Sequence, residues 1–264
     1  MAGRIRVGVG GWTYEPWRGL FYPAGLQQKR ELEHMSRRLT AVEINGTFYS
    51  TFKPDSWRKW RDETPDDFVF AVKGSRYVTN RKVLADAGPA IEKFIGQGLS
   101  ELGPKLGPVN WQLAATKTFN PDDVDAFLRL LPREVNGLPL RHALEVRHPS
   151  FETPEFVELL RQHDIAPVYT DAEDWPSIPD ATTDFVYARL QRAAETEPTG
   201  YPAAELSRWA TAARAWSEGP GPDGLPLFTP PAPARPRDAF VFFISGHKAH
   251  NPAAAEGLIA ALQA

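Results

Sequence analysis

The chain has no cysteine among its 264 residues. That excludes a disulfide framework, a thiolate nucleophile and a thiolate-bound metal. It also lacks a surplus of positive charge. A formal net charge of −3 and a pI near 6.1 exclude a broadly basic, polyanion-binding surface, so any basic site is local. No uninterrupted apolar run approaches the roughly 18 residues of a membrane-spanning helix. The opening "MAGRIRVGVGGW" enters a strand-like pattern without the apolar stretch of a secretory signal. The expectation is a soluble, cytoplasmic protein with no membrane partner.

What the chain does have is a recurring alternation. Runs with period two, or dense in β-branched and aromatic residues, appear at 5–12, 41–49, 68–75, 109–115, 142–148, 166–172, 185–191 and 239–246. Segments of helical character lie between most of them, at 26–39, 54–62, 89–102, 121–131, 154–163 and 202–217, with another at 252–263. Asn120-Pro121-Asp122-Asp123 and Thr153-Pro154-Glu155 are helix starts: a capping side chain, then proline, then acids that complement the N-terminal dipole. Repeated βα alternation specifies a parallel sheet with helices outside it. Eight strands in a chain of this length predict a (β/α)8 TIM-like barrel occupying residues 1–264 as one domain.

Two stretches depart from an ideal barrel. "EDWPSIPDATTD" (173–184) has no helical period, which predicts that the helix between strands 6 and 7 is missing or shortened. The Pro/Gly-rich stretch 218–238 follows a helix and precedes a strand, which predicts a surface loop on the N-terminal face, away from the chemistry.

Several strands carry polar residues on a face that a barrel turns inward. Residues near the C-terminal strand ends open into the mouth, where barrels place their active sites. Glu43 and Asn45 share a face of the second strand, Lys73 ends the third, Gln112 lies in the fourth, Glu145 and Arg147 share a face of the fifth, and Arg189 belongs to the seventh. Asp171 and the Ser245-Gly246-His247-Lys248 turn follow strands six and eight. Charged groups are seldom buried unless paired or used, so this set predicts one converging polar site. The structural alternative is an internal ion-pair network, Glu145 with Arg147 and Glu43 with Lys73 or Arg189, that plugs the barrel.

Strand one ends in "GVGGWTYEPWRGLFYP". Its glycines permit close approach to a ligand, and Trp12 and Tyr14 offer a stacking surface, Trp12 foremost; Phe21 and Tyr22 read as a cluster closing one end of the barrel. The string runs into an aromatic loop instead of a helix, so it is no dinucleotide fingerprint, and no organic cofactor is indicated. Lys73, Arg76, Arg81 and Lys82 around Tyr77 form a local candidate for phosphate contact, with a solvated loop as the alternative. His148, His247 and His250 lie near strand ends without zinc-site spacing, so no metal ligands are assigned; a hard cation on Glu43, Glu145 or Asp171 is the remaining option.

Taken together, "GVGGWTYEPWRGLFYP", "VEINGTFYS", "FVFAVKGSRYVTN", "NWQL" and "EVRHPSF", with a looser "FFISGHKAHNPAAAEGL", resemble the DUF72, or YecE-like, family along nearly the whole chain. The resemblance implies a TIM barrel of unestablished activity, similar at a distance to sugar isomerases and an apurinic endonuclease. Its motif positions fall on Trp12, Glu43, Asn45, Lys73, Gln112, Glu145, Arg147 and His148. The chain departs from the family pattern at Asn80, at Ala114-Ala115 and in "ISGHKAH", all near the expected mouth, which points to a subfamily.

The function expected from these residues is an enzyme for a phosphorylated or otherwise anionic small molecule. Glu43, Glu145, Lys73 and His148 are the candidate catalytic residues, with a carboxylate of raised pKa as acid or base and Lys73 as an alternative Schiff-base amine. Trp12, Tyr14, Asn45, Gln112, Arg147, Asp171, Arg189, His247 and Lys248 are the candidate substrate contacts. A non-catalytic binder of nucleotides or short single-stranded nucleic acid is the second class, and a scaffold surface on 218–238 the third.

Overall fold

The computed structural model describes residues 2–219 and 221–264; Met1 and Pro220, at the edges of the expected domain and loop, lie outside the described residues. Eight parallel strands close into a barrel: β1 (Ile5–Gly10), β2 (Ala41–Ile44), β3 (Val69–Lys73), β4 (Leu106–Gln112), β5 (His142–Glu145), β6 (Ala166–Thr170), β7 (Phe185–Leu190) and β8 (Asp238–Phe243), with β8 pairing back onto β1. A short antiparallel ribbon, Glu134–Val135 with Leu138–Pro139, leads into β5.

The inside of the barrel changes character along its axis. Val69, Ala71, Ala143, Ala166, Val168, Phe185, Tyr187, Phe240 and Phe242 form an inner core separate from the larger one between strands and helices. Alanines and glycines on some strands leave room for the rings of others. At Gly8 a Cβ would stand 3.3 Å from the Phe242 ring, and 2.1 Å from the Ala41 carbonyl oxygen of the neighbouring strand. Arg6 and Arg141 close the N-terminal end, Arg6 donating to the Asp67 carbonyl at 2.7 Å and Arg141 lying 4.8 Å from the Phe240 ring centroid. Two residues further along the same inward face, four of the strands become polar: Ala41 gives way to Glu43, Ala71 to Lys73, Ala143 to Glu145 and Tyr187 to Arg189. Strand periodicity therefore stacks an apolar base beneath a polar mouth.

The helices are α1 (Glu31–Ser36), α2 (Pro54–Asp62), α3 (Arg76–Thr79), α4 (Gly88–Ile95), α5 (Pro121–Leu130), α6 (Pro154–Gln162), α7 (Ala203–Glu218) and α8 (Asn251–Gln263). The start signals operate as expected: Asn120 accepts from the Asp123 amide at 3.0 Å and Thr153 from the Phe156 amide at 3.2 Å. The expected helices at 26–39 and 89–102 are shorter, each sharing its span with 3-10 turns. Two elements were not expected: the ribbon before β5, and the single turn α3 in the basic loop 73–82, capped by Ser75.

No helix joins β6 to β7. The Pro/Gly-rich stretch packs into that connection, which gives it a structural role beyond that of a decorating loop. Asp180 is buried and accepts from the Phe228 amide at 3.0 Å, the Thr229 amide at 2.9 Å and the Thr229 hydroxyl at 2.7 Å. Buried Arg237 donates to the carbonyls of Thr183, Gly219 and Pro233. Asp180→Ala strands these donors and is expected to cost about 2–4 kcal/mol in urea unfolding. A change within a few tenths of a kcal/mol would show that the stretch is not anchored there.

Candidate functional site

At the polar level of the barrel, Arg189 lies between two carboxylates. It donates to Glu43 Oε1 at 3.0 Å and to Glu145 Oε2 at 2.6 Å. The other Glu43 oxygen accepts from the Tyr187 hydroxyl at 2.5 Å and the Asn110 amide at 3.3 Å. Glu145 Oε2 also accepts from Asn110, at 3.2 Å, and Oε1 takes Arg147 through Nε and a terminal nitrogen at 3.0 and 2.8 Å. The Arg147 guanidinium reaches Gln112 Oε1 at 3.0 Å and lies 4.7 Å from the Trp175 ring centroid. Both carboxylates are thus fully engaged, and their side chains are 0 % and 4 % exposed.

The pairing at Glu145 works against the raised carboxyl that an acid or base there would need. Burial pushes the Glu145 carboxyl up, but Arg189, Arg147 and Lys73 outweigh it and hold the group down at about 2. Glu43 has no exposed surface and no oxygen free of a donor. The ion-pair network offered as the structural alternative is present, and it forms the floor of the mouth.

Above that floor stand the groups with an open side. Lys73 is partly buried, 4.6 Å from the Phe48 ring centroid. Desolvation, and then Arg189, lower its ammonium to about 8, with Glu43 pulling the other way. Arg147 keeps 22 % of its side chain exposed, and Gln112 is half-buried beside it. Trp12, Tyr14 and Asn45 line an adjoining cavity of about 300 Å³ with Phe52 and Trp60. Asn45 Oδ1 is buried there without a hydrogen-bond partner. Trp12 packs edge-on against Trp60, and Lys248 reaches across Tyr14 with its nitrogen 4.8 Å from the ring centroid. The glycines of strand one serve protein packing instead of ligand approach: a Cβ on Gly10 would stand 2.5 Å from Asn45 Nδ2, and Gly11 has a φ of +73° against Tyr14.

Three expected residues do not join the site. Asp171 spends one oxygen on the Gln191 amide at 2.6 Å and the other on the Tyr201 hydroxyl at 2.9 Å, and it lines a different cavity outside the barrel with Trp209 and Arg208. His148 caps a turn, its Nδ1 lying 2.8 Å from Ser150 Oγ and 3.2 Å from the Ser150 amide. His247 is exposed on the rim. Of the basic third loop, only Lys73 faces the barrel centre; Arg81 and Lys82 line a separate cavity with Lys117 and, at two of the departures from the family pattern, Asn80 and Ala114. Among the described residues no three His, Asp or Glu side chains converge as metal ligands. Between Glu43 and Glu145, the place of a bridging cation is held by the Arg189 guanidinium.

Tyr187, Asn110, Phe48 and Trp175 are site components that the sequence reading missed. Tyr187 and Asn110 each lie two residues before a named candidate, Arg189 and Gln112, so strand period alone points to them.

A family profile described as "Protein of unknown function DUF72" matches residues 6–264. The chain belongs to the DUF72 family. Among curated relatives it is 33% identical to the UPF0759 protein YecE of Escherichia coli (strain K12) over 150 residues, 56% of this chain and 50% of YecE. It is 26% identical to the UPF0759 protein YunF of Bacillus subtilis (strain 168) over 159 residues, 58% of this chain and 54% of YunF. The chain thus aligns with about half the length of these relatives. Among solved structures, a DUF72 family protein from Thermotoga maritima MSB8 has a TM-score of 0.76 at 23% identity, covering 99% of this chain and 100% of that one. SacUVDE superposes at 0.57 with 8% identity, covering 99% and 98%. These two likenesses establish a shared fold. No helix among the described residues is long and apolar enough to cross a membrane.

Proposed function

We propose that the barrel mouth is the active site of an enzyme for a phosphorylated or otherwise anionic small molecule, bound by Lys73 and Arg147 and oriented by Gln112 and Asn45. The observation that carries this reading is the order of charge along the barrel axis. Two carboxylates lie in the floor, enclosed and paired, while three cations, Arg189, Arg147 and Lys73, surround them, and the two with exposed surface face the mouth. One positive charge is left over at a site with low-dielectric walls, where an anion gains more than in water. Arg147, fixed by Glu145 and Trp175, presents a planar donor edge already oriented. The carboxylates set the positions of the arginines.

A second reading, a non-catalytic binder of nucleotides or short single strands, is favoured by one feature of the rim. Arg76 lies between two exposed tyrosines, 5.6 Å from the Tyr49 ring centroid and 5.5 Å from that of Tyr77. Exposed aromatic and guanidinium planes of this kind stack on bases.

A thermal-stability screen separates the two. A ligand at 100 times its dissociation constant adds about 2.7 kcal/mol. Orthophosphate and sugar phosphates are expected to stabilise the protein, and Lys73→Ala and Arg147→Ala to abolish the effect. Stabilisation by oligonucleotides alone, falling steeply with salt, would transfer the assignment to the second reading. Indifference to every phosphate compound would remove the first.

A further inference from the structure

Lys73 stands apart from the charged groups around it. Glu43, Glu145, Arg147 and Arg189 satisfy one another, whereas the Lys73 ammonium makes no hydrogen bond and no ion pair within 4.0 Å among the described residues. An ammonium has three hydrogens to place, and here one side is covered by the Phe48 ring. Its nitrogen is not among the enclosed polar atoms that lack partners, so the uncovered side keeps access to solvent. A lysine at the C-terminal end of a barrel strand, on an aromatic face, without a counter-ion in contact and with an open approach, is placed as a nucleophilic amine.

We propose that Lys73 forms a Schiff base with the aldehyde or ketone carbonyl of a small substrate whose phosphate group is held by Arg147. The inference rests on the anionic-substrate reading above and adds the reacting atom and the substrate class. The unprotonated Nζ attacks the carbonyl carbon; a C–N bond forms, the carbonyl π bond breaks, and its oxygen takes up a proton. Loss of that hydroxyl as water leaves a protonated imine. Ammonium plus carbonyl thus gives iminium plus water, with no oxidant or reductant. The positive charge stays over the Phe48 face, so the network below sees the same charge before and after. The depressed basicity of Lys73 supplies free amine near neutral pH. The iminium withdraws electrons from the adjoining carbon, so a substrate held there is activated at the position next to its carbonyl.

The test uses the full chain with glycolaldehyde phosphate and with glycolaldehyde, each followed by borohydride reduction and peptide mapping. Free-amine fraction changes tenfold per pKa unit, so at pH 7.5 Lys73 is expected to be labelled roughly ten-fold or more faster than exposed Lys29 and Lys93. The phosphorylated aldehyde is expected to be preferred and inorganic phosphate to protect. Lys73→Arg keeps the charge but cannot form the imine; it is expected to lose the adduct and still be stabilised by phosphate. Labelling of Lys73 no faster than of Lys29 and Lys93, with stabilisation by phosphate intact, would overturn the Schiff base and leave the anion site standing. Equal capture of both aldehydes without protection would overturn the phosphate-bearing substrate class and the proposed function with it.

Discussion

Arg189→Met is expected to destabilise the protein by about 3–5 kcal/mol in urea unfolding, the largest effect of any single change in the barrel interior. The reason is the asymmetry of buried ion pairs. Arg189 is 2 % exposed and is the cation shared by Glu43 and Glu145. Methionine fills much of the volume but leaves two carboxylates enclosed within one network, with Arg147 and Lys73 at its outer edge. Part of the loss is expected to return in the double variant Arg189→Met, Glu43→Gln, because one of the stranded charges is then removed. A single variant as stable as the parent would mean that the network is open to water and is not the sealed floor described above.

Acid is expected to dismantle the same network. The Glu145 carboxyl is held at about 2, against 4.5 for an unperturbed group. A carboxyl whose pKa is depressed by folding contributes stability in full above its unfolded value, and that contribution disappears as pH falls through the folded value. The loss attributable to Glu145 therefore falls between pH 4.5 and 2. At about 1.4 kcal/mol per pKa unit it is on the order of 3 kcal/mol. Urea titrations at descending pH, together with the carboxyl carbon shift of Glu145, measure it. A Glu145 that titrates at the ordinary value would contradict the pairing.

Much of this site follows from period two. A strand that alternates inward and outward and ends in a polar residue on its inward face declares where the mouth begins. Glu43, Lys73, Gln112, Glu145, Arg147 and Arg189 were all readable in that way. The eight-stranded barrel and the missing helix between β6 and β7 were equally readable from the alternation of patterns. The pairs Glu145–Arg147 and Glu43–Arg189 were among the readings the pattern allowed; what it did not disclose is that one guanidinium, Arg189, is shared by both acids. For Glu145, burial and ion pairing act in opposite directions, and only the placement of Arg189, Arg147 and Lys73 around it decides that the carboxyl is lowered. Asp171 and His148 looked like mouth residues, yet their partners, the Gln191 and Ser150 amides, hold them to local structure. Trp175 comes from a connection with no period at all. The one-turn helix α3 spans four residues, too few for a helical pattern to repeat.

The central claim is that Lys73 and Arg147 make the mouth an anion site, the three cations together exceeding the two carboxylates by one charge. Calorimetric titration with sulfate between pH 7 and 10 tests it most directly, since sulfate keeps its charge throughout while Lys73, at about 8, loses its own. Once the free site has released that proton, binding must recover it. The account predicts that sulfate affinity is level below about pH 8 and then falls by up to about tenfold per pH unit. Lys73→Met is expected to bind more weakly at pH 7 and to lose this fall. A wild-type affinity that does not change from pH 7 to 10, or one that Lys73→Met leaves intact, would contradict the account.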